Sequence, residues 1–102
     1  GQILVERTVY DDSGQLLTGS YMDYAMPRAD DMCSFDFSTR NVPCATNPLG
    51  VKGCGEAGNG ASMPSVMNAI IDALSVRGIT EFDAPATPHR VWQALQKAGK
   101  PS

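Results

Sequence analysis

The sequence predicts an α+β fold, with a small β-sheet that includes a hairpin, a glycine-rich loop, and two C-terminal helices packed on the sheet. Short runs of alternating apolar and polar residues in the first forty positions favour strands, and apolar residues at helical spacing in the second half favour helices. Between them, residues 43–60 are rich in Pro, Asn and Gly. Such a long irregular loop usually has a function. The length of 102 residues suits one domain, residues 1–102.

The strands are predicted from turn residues and β-forming residues. A hairpin is expected from Val5 to Thr18. Its first strand ends at Tyr10, the turn is Asp11-Asp12-Ser13-Gly14, and the return strand is residues 15–18. A further strand is predicted over residues 34–39, where two phenylalanines alternate with polar residues.

The first helix is predicted from Ala61 to Arg77. Ser62 suits the N-cap, Pro64 suits the first turn, and Gly78 suits the stop signal. The residues expected to form its buried side are Met63, Val66, Met67, Ile70 and Leu74.

The second helix is predicted from Pro88 to Ala98. Thr87 would be its N-cap, Pro88 its first helical residue, and Gly99 its end. The residues expected to be buried, with Trp92 as the core anchor, are Val91, Trp92, Leu95 and Ala98.

Composition excludes several classes of function. The net charge of −3 and pI near 4.8, without clustered Lys or Arg, argue against a nucleic-acid partner. No apolar run approaches the length of a membrane span. Cys33, Cys44 and Cys54 form no CxxC pair, so we expect reduced cysteines in a cytoplasmic protein and no zinc site. The absence of an initiator Met suggests a piece of a longer protein.

The glycine-rich loop is the most informative segment. It has five glycines in the eleven residues from Gly50 to Gly60, and it leads into a helix whose N-terminus suits an anion. Gly53, Gly55 and Gly58 match G-x-G-x-x-G, but no buried strand precedes them and no acid-ending strand follows. A dinucleotide-binding fold is therefore not predicted.

Glu56 is the unusual residue of this loop because Lys52 is its only charged neighbour in sequence. Residue types alone leave two interpretations open, a solvated loop carboxylate and a general base in a partly desolvated pocket. Cys54 is interpreted as a small packed residue and not as a reactive thiol. The lone His89 is interpreted as a surface or structural residue.

Residues 50–58, Gly-Val-Lys-Gly-Cys-Gly-Glu-Ala-Gly, resemble the glycine motif of molybdenum hydroxylase large subunits, with Cys54 where valine is usual. Residues 1–6, 18–27, 68–74 and 85–92 are also similar to segments of that family. The resemblance follows the whole chain in order. It implies the C-terminal part of the molybdopterin-binding large subunit in the xanthine oxidase, aldehyde oxidase and carbon monoxide dehydrogenase family.

The resemblance implies that Glu56 is the catalytic base and that the chain supplies no metal ligand. The residues implied to bind the cofactor are Lys52, Gly53, Cys54, Gly55, Ala57 and Gly58. That cofactor would be molybdenum held by molybdopterin cytosine dinucleotide, with copper added in enzymes that oxidise CO. The implied partners are the remainder of the large subunit, an FAD-binding medium subunit and a [2Fe–2S] small subunit.

The implied substrate is a small molecule: CO, an aldehyde or an N-heterocycle. The alternative hypothesis is a non-catalytic structural or interaction module derived from such a domain. A glutamate inside an intact glycine motif favours the enzyme, and the isolated chain is expected to be inactive.

Overall fold

Two α-helices form most of the regular structure in the described part of this chain. The computed structural model describes residues 1–99, in which a 3-10 helix, Ala29–Asp31, is followed by α1, Gly55–Ser75, and α2, Pro88–Ala98. Within residues 1–99, no helix combines the length and the apolar character needed to cross a membrane.

Both predicted helices are confirmed, but the first begins earlier than predicted. Its N-cap is Cys54, whose side chain makes no capping hydrogen bond. Because the helix begins at Gly55, Ser62 lies inside it and Pro64 lies well past the first turn. The glycines suggested a loop because each costs about 1 kcal/mol relative to alanine in a helix. That cost disfavours helical backbone angles without forbidding them, and here the helix extends through Gly55, Gly58 and Gly60.

The ends of the helices follow the predicted signals. After α1, Gly78 has φ +75° and its N–H donates to the Ser75 carbonyl at 2.8 Å. A positive φ suits glycine because it has no Cβ. Helix α2 has Thr87 at the N-cap and Pro88 in its first turn, and the Gly99 N–H donates to the Leu95 carbonyl at 3.0 Å.

The predicted sheet is not confirmed, since no strand is present among residues 1–99. The hairpin is reduced to one antiparallel bridge between Tyr10 and Leu16, and residues 34–39 are exposed and form no regular structure. A strand needs a neighbour to pair its N–H and C=O groups, and an isolated hairpin is marginal in water. Within residues 1–99, no second strand lies beside residues 34–39 and the helices have no sheet to pack on.

The turn of the hairpin is nevertheless well formed. One carboxylate oxygen of Asp11 accepts hydrogen bonds from the Ser13 hydroxyl at 2.7 Å, the Ser13 N–H at 2.9 Å and the Gln15 N–H at 2.9 Å. The Ser13 hydroxyl, followed by the Gln15 N–H, lowers the pKa of Asp11. Gly14 completes the turn at φ +83°. The turn prediction is therefore confirmed, although the strands it would join are not.

The core is small and lies where the first residues of the chain meet the end of α1 and the connection between α1 and α2. Its buried apolar residues are Ile3, Leu74 and Ala86, and the Ala86 N–H donates to the Ile3 carbonyl at 2.6 Å. Arg90 secures the same connection by donating to the Pro85 carbonyl at 2.8 Å, and its guanidinium lies 5.6 Å from the centroid of the Phe82 ring.

The apolar sides of the two helices are only partly buried. In α1, Leu74 is buried, Met67 and Ile70 are half-buried and Asp72 is exposed, so the predicted buried side is confirmed in the second half of the helix. In the first half it is not confirmed, because Met63 and Val66 are exposed. In α2 no residue is buried, and Trp92 is 56% exposed, so its prediction as a core anchor is wrong for this chain alone. Packing partners for α2 are therefore missing from residues 1–99.

The overall dimensions show the same deficit of packing. The radius of gyration is 18.3 Å, whereas a compact domain of this length has about 13 Å. The accessible surface is 8711 Å², whereas a folded monomer of this mass exposes about 5,500 Å². Large apolar side chains, including Tyr21, Phe35 and Phe37, are at least three-quarters exposed.

Ile3→Ala tests the contact between the first residues and the connection that joins α1 to α2. We expect the free energy of opening at the Ala86 amide to fall by about 2 kcal/mol or more, because a buried isoleucine loses its packing. Hydrogen exchange at Ala86 measures this change. Leu4→Ala is the matched control, since Leu4 is 51% exposed. Equal protection at Ala86 in both variants would contradict a core at this position.

Candidate active site

A hydrogen-bonded turn holds the backbone that enters the glycine motif. The Gly50 N–H donates to the Asn47 carbonyl at 3.1 Å, and the Cys44 N–H donates to the Gly50 carbonyl at 2.9 Å. The side-chain amide of Asn47 donates to the Val51 carbonyl at 2.8 Å and accepts from the Val51 N–H at 3.2 Å. Gly50, at φ +66°, supplies the conformation that this turn requires.

This turn is the main local feature that sequence reasoning missed. Asn47-Pro48-Leu49-Gly50 places Asn first, Pro second and Gly fourth, which is the residue pattern of a type I turn. The turn fixes where Lys52 and Gly53 leave the loop and enter α1. The glycine motif is therefore anchored on its N-terminal side.

Glu56 lies in the first turn of α1 and not in an irregular loop, which corrects the predicted start of the helix. Its carboxylate folds back over the preceding backbone, because a Cβ built on Gly53 would lie 2.5 Å from Glu56 Oε2. The N-terminus of a helix has a partial positive charge, which favours a carboxylate at this position. Glu56 is exposed, and no ion pair with Lys52 forms within residues 1–99.

An open groove of about 620 Å³ lies beside the motif. Of the predicted cofactor-binding residues, Lys52, Gly53 and Ala57 line it, whereas Cys54, Gly55 and Gly58 do not. Gly50 and residues 39–43 form the rest of the lining. The structure thus places three of the six predicted residues on one surface. The other three, Cys54, Gly55 and Gly58, lie at the N-cap and the start of α1.

Arg40 and Asn41 also line the groove, and sequence reasoning did not select them. They follow the exposed Phe35–Phe37 segment and are distant in sequence from the glycine motif. No local pattern connects the two segments. The Cys44–Gly50 hydrogen bond brings them together, and only the structure shows it.

The glycines of the motif differ in what an added Cβ would contact. A Cβ at Gly53 would meet Glu56, whereas a Cβ at Gly55, Gly58 or Gly60 would have no heavy atom within 4 Å. The first two turns of α1 therefore present backbone that a ligand can approach closely. Among residues 1–99, no three His, Cys, Asp or Glu side chains converge as a metal site.

The remaining candidate residues do not line this groove. His89 stacks on Trp92 with ring centroids 5.9 Å apart, as expected for a structural role. Cys54 is exposed, so the prediction that it is a packed residue is wrong for this chain alone. The cysteine with an altered environment is Cys44. The Thr46 hydroxyl, 3.1 Å from its sulfur, and the Thr46 backbone lower the pKa of the Cys44 thiol.

Comparison with known proteins identifies the family. Residues 1–33 match the molybdopterin cofactor-binding domain. The chain is 38% identical over 96 residues to the nicotine 6-hydroxylase large subunit of Paenarthrobacter nicotinovorans, covering 94% of this chain and 12% of that protein. It is 33% identical over 88 residues to the carbon monoxide dehydrogenase large chain of Hydrogenophaga pseudoflava, covering 86% of this chain and 11% of that protein.

The fold also matches a solved structure. Quinoline 2-oxidoreductase from Pseudomonas putida 86 superposes with a TM-score of 0.82 at 32% identity, covering 97% of this chain and 12% of that one. These matches define a segment of a molybdopterin-binding subunit. The chain belongs to the molybdenum hydroxylase family. It spans about an eighth of the length of the relatives it matches.

Gly53→Ala, introduced in the full-length enzyme, tests the contact between Gly53 and Glu56. We expect turnover to fall, because the new Cβ displaces the carboxylate, and a misplacement of about 1 Å costs roughly a hundredfold in rate. Gly60→Ala is the matched control, since its Cβ meets no atom and alanine favours a helix. Full activity in Gly53→Ala would show that the observed position of Glu56 is not required.

Thr46→Val tests the environment of Cys44. Removing the hydroxyl raises the pKa of the Cys44 thiol, so less thiolate is present at neutral pH and alkylation by iodoacetamide slows. The difference should disappear at a pH well above the thiol pKa in both proteins. Mass spectrometry of labelled peptides measures the rate, with Cys33 as the internal control. An unchanged rate at Cys44 would exclude the hydroxyl as the cause.

Proposed function

We propose that this chain supplies the catalytic carboxylate and part of the cofactor site of a molybdenum-dependent oxidoreductase. The observation that most supports the proposal is the position of Glu56 in the first turn of α1, where its carboxylate lies over Gly53, a residue that lines the groove. The family membership supports the same conclusion, because its members are molybdenum enzymes. Residues 1–102 are proposed as one domain within the C-terminal part of a large subunit.

The residues of the groove fit a molybdopterin cofactor. Lys52 contributes a positive charge for a phosphate, and Gly53 allows close approach of the backbone. The uncovered backbone at Gly55 and Gly58 gives a second surface that a planar group can contact. We propose that Lys52, Gly53, Cys54, Gly55, Ala57 and Gly58 contact the cofactor. When bound, that cofactor supplies the two-electron redox chemistry.

Glu56 would act as a general base. Its carboxylate oxygens are exposed towards solvent, with no cationic partner within residues 1–99, so they are accessible to a proton donor in the assembled site. An ionised carboxylate is the form that accepts a proton. The contact with Gly53 limits where the carboxylate can lie. The proposed role of this chain is therefore placement of a base and transfer of a proton.

The extended shape supports a role within a larger subunit. The chain retains the fold of quinoline 2-oxidoreductase over nearly its whole length, yet it buries only a few apolar residues of its own. We propose that the remainder of the large subunit covers the exposed side chains and pairs with residues 34–39. The isolated chain is then inactive, because its site lacks most of its walls.

The whole enzyme would work with other redox components. Electrons must leave molybdenum after each turnover, so we propose an FAD-binding medium subunit and an iron–sulfur small subunit with a [2Fe–2S] cluster. Molybdopterin cytosine dinucleotide is the proposed form of the cofactor, and copper would be added if the substrate is CO. Cys33, Cys44 and Cys54 are free, which agrees with a cytoplasmic location.

The proposed substrate is an N-heterocycle, an aldehyde or CO. The relatives named above act on nicotine, quinoline and carbon monoxide, according to their names. Purified full-length complex, assayed with one compound of each class and an artificial electron acceptor, would separate the three. Purification of a fully active large subunit lacking both partner subunits would contradict the proposed assembly.

Glu56→Gln in the full-length enzyme is the central test. The amide keeps the size of the side chain but cannot accept the proton, so we expect turnover to fall by about 10²–10⁴-fold with molybdenum content near normal. Steady-state kinetics and metal analysis of the purified complex measure the two quantities.

Glu81→Gln is the matched control, since Glu81 is exposed and far in sequence from the groove. Glu6 is a poorer control, because it accepts a hydrogen bond from the Tyr24 hydroxyl at 3.0 Å. Near-normal activity of Glu56→Gln with loaded cofactor would support a non-catalytic module instead.

A further inference from the structure

The groove beside the glycine motif has a distinctive charge. Arg40 and Lys52 are the charged residues that line it, and both are cationic, although the chain as a whole has a net charge of −3. No acidic residue contributes to the lining. Two cations that line the same groove, without an anion among them, attract an anionic group.

The other lining groups add hydrogen-bond donors. Thr39 and Asn41 line the same groove, with a hydroxyl and an amide that can both donate. Arginine presents a planar fork of N–H donors that matches a phosphate or carboxylate, and lysine adds a compact charge. At about 620 Å³, the groove has room for such a group together with the part of the molecule that holds it.

The N-terminal end of α1 lies at the same groove as the two cations. Gly53 and Ala57, at the first turn of α1, line the same groove, so the positive end of that helix contributes to the field. We propose that Arg40, together with Lys52, forms an oxyanion-binding site that holds a phosphate of the cofactor or an anionic group of the substrate. This inference rests on the proposed function, and Arg40 is its new element.

The test uses the full-length complex and inorganic phosphate as the probe. Isothermal titration measures phosphate binding to complex emptied of cofactor and to loaded complex, and metal analysis measures molybdenum per subunit. We expect Arg40→Gln to weaken phosphate binding about tenfold to a hundredfold, as for the loss of a charged hydrogen bond. Arg40→Lys should restore part of the affinity, because it keeps the charge.

The two sources of the oxyanion give different results. If the cofactor supplies it, phosphate binds only the emptied complex, and Arg40→Gln lowers molybdenum content. If the substrate supplies it, phosphate also binds the loaded complex and competes with substrate, and Arg40→Gln raises KM with cofactor content unchanged. Either result supports the oxyanion site.

Arg7→Gln is the matched control, because Arg7 is exposed and does not line the groove. Phosphate affinity equal to wild type in Arg40→Gln, or an equal loss in Arg7→Gln, would overturn the inference. If Arg40→Gln does not yield folded complex, Lys52→Gln gives the same affinity measurement. Failure of the oxyanion site is distinct from failure of the proposed function, because the activity of Glu56→Gln tests the proposed function.

Discussion

The contact between Ile3 and Ala86 is the constraint on which the arrangement of this chain depends. It joins the first residues to the connection between α1 and α2 through a backbone hydrogen bond and two buried side chains. Residues 1–4 and Glu6 of the opening turn also line a small cavity together with Ser62 and Val66 of α1. The path of α1 is thus set from both the N-terminal turn and the connection that follows the helix.

The helices and their ends could be predicted from sequence because their signals are local. Gly78, Thr87 and Pro88 act through their own backbone conformation, and the structure places each at the expected helix boundary. The start of α1 could not be predicted in this way. Glycine weakens a helix without excluding it, and no capping side chain marks Cys54 as the boundary.

The sheet and the burial of α2 depend on partners that local sequence does not contain. Alternation at Phe35 and Phe37 predicts a strand with one apolar side, but within residues 1–99 no neighbouring strand pairs with this segment and both side chains are exposed. The same holds for Trp92, whose apolar surface is half exposed. Sequence patterns predict which surface should be buried, but they do not say which chain segment buries it.

For the candidate site, sequence motifs selected Glu56 and Lys52, and the structure adds why the glycines differ. Gly53 has no side chain because Glu56 occupies the space, and that constraint is internal to the chain. Gly55 and Gly58 are unobstructed, so no contact within residues 1–99 explains why glycine stands there. Arg40 belongs to neither group and could be found only from the shape of the groove.

Helix α1 is long, so a small tilt at one of its ends produces a much larger displacement at the other. Glu56 is in its first turn and the buried Leu74 is in its last, which places them about 27 Å apart along the axis at the usual rise per residue. A tilt of about 2° around the Leu74 end therefore displaces the carboxylate by about 1 Å over that length. Packing changes around Leu74 therefore produce larger displacements at the opposite end, so a substitution far from Glu56 can move its carboxylate without altering the glycine motif.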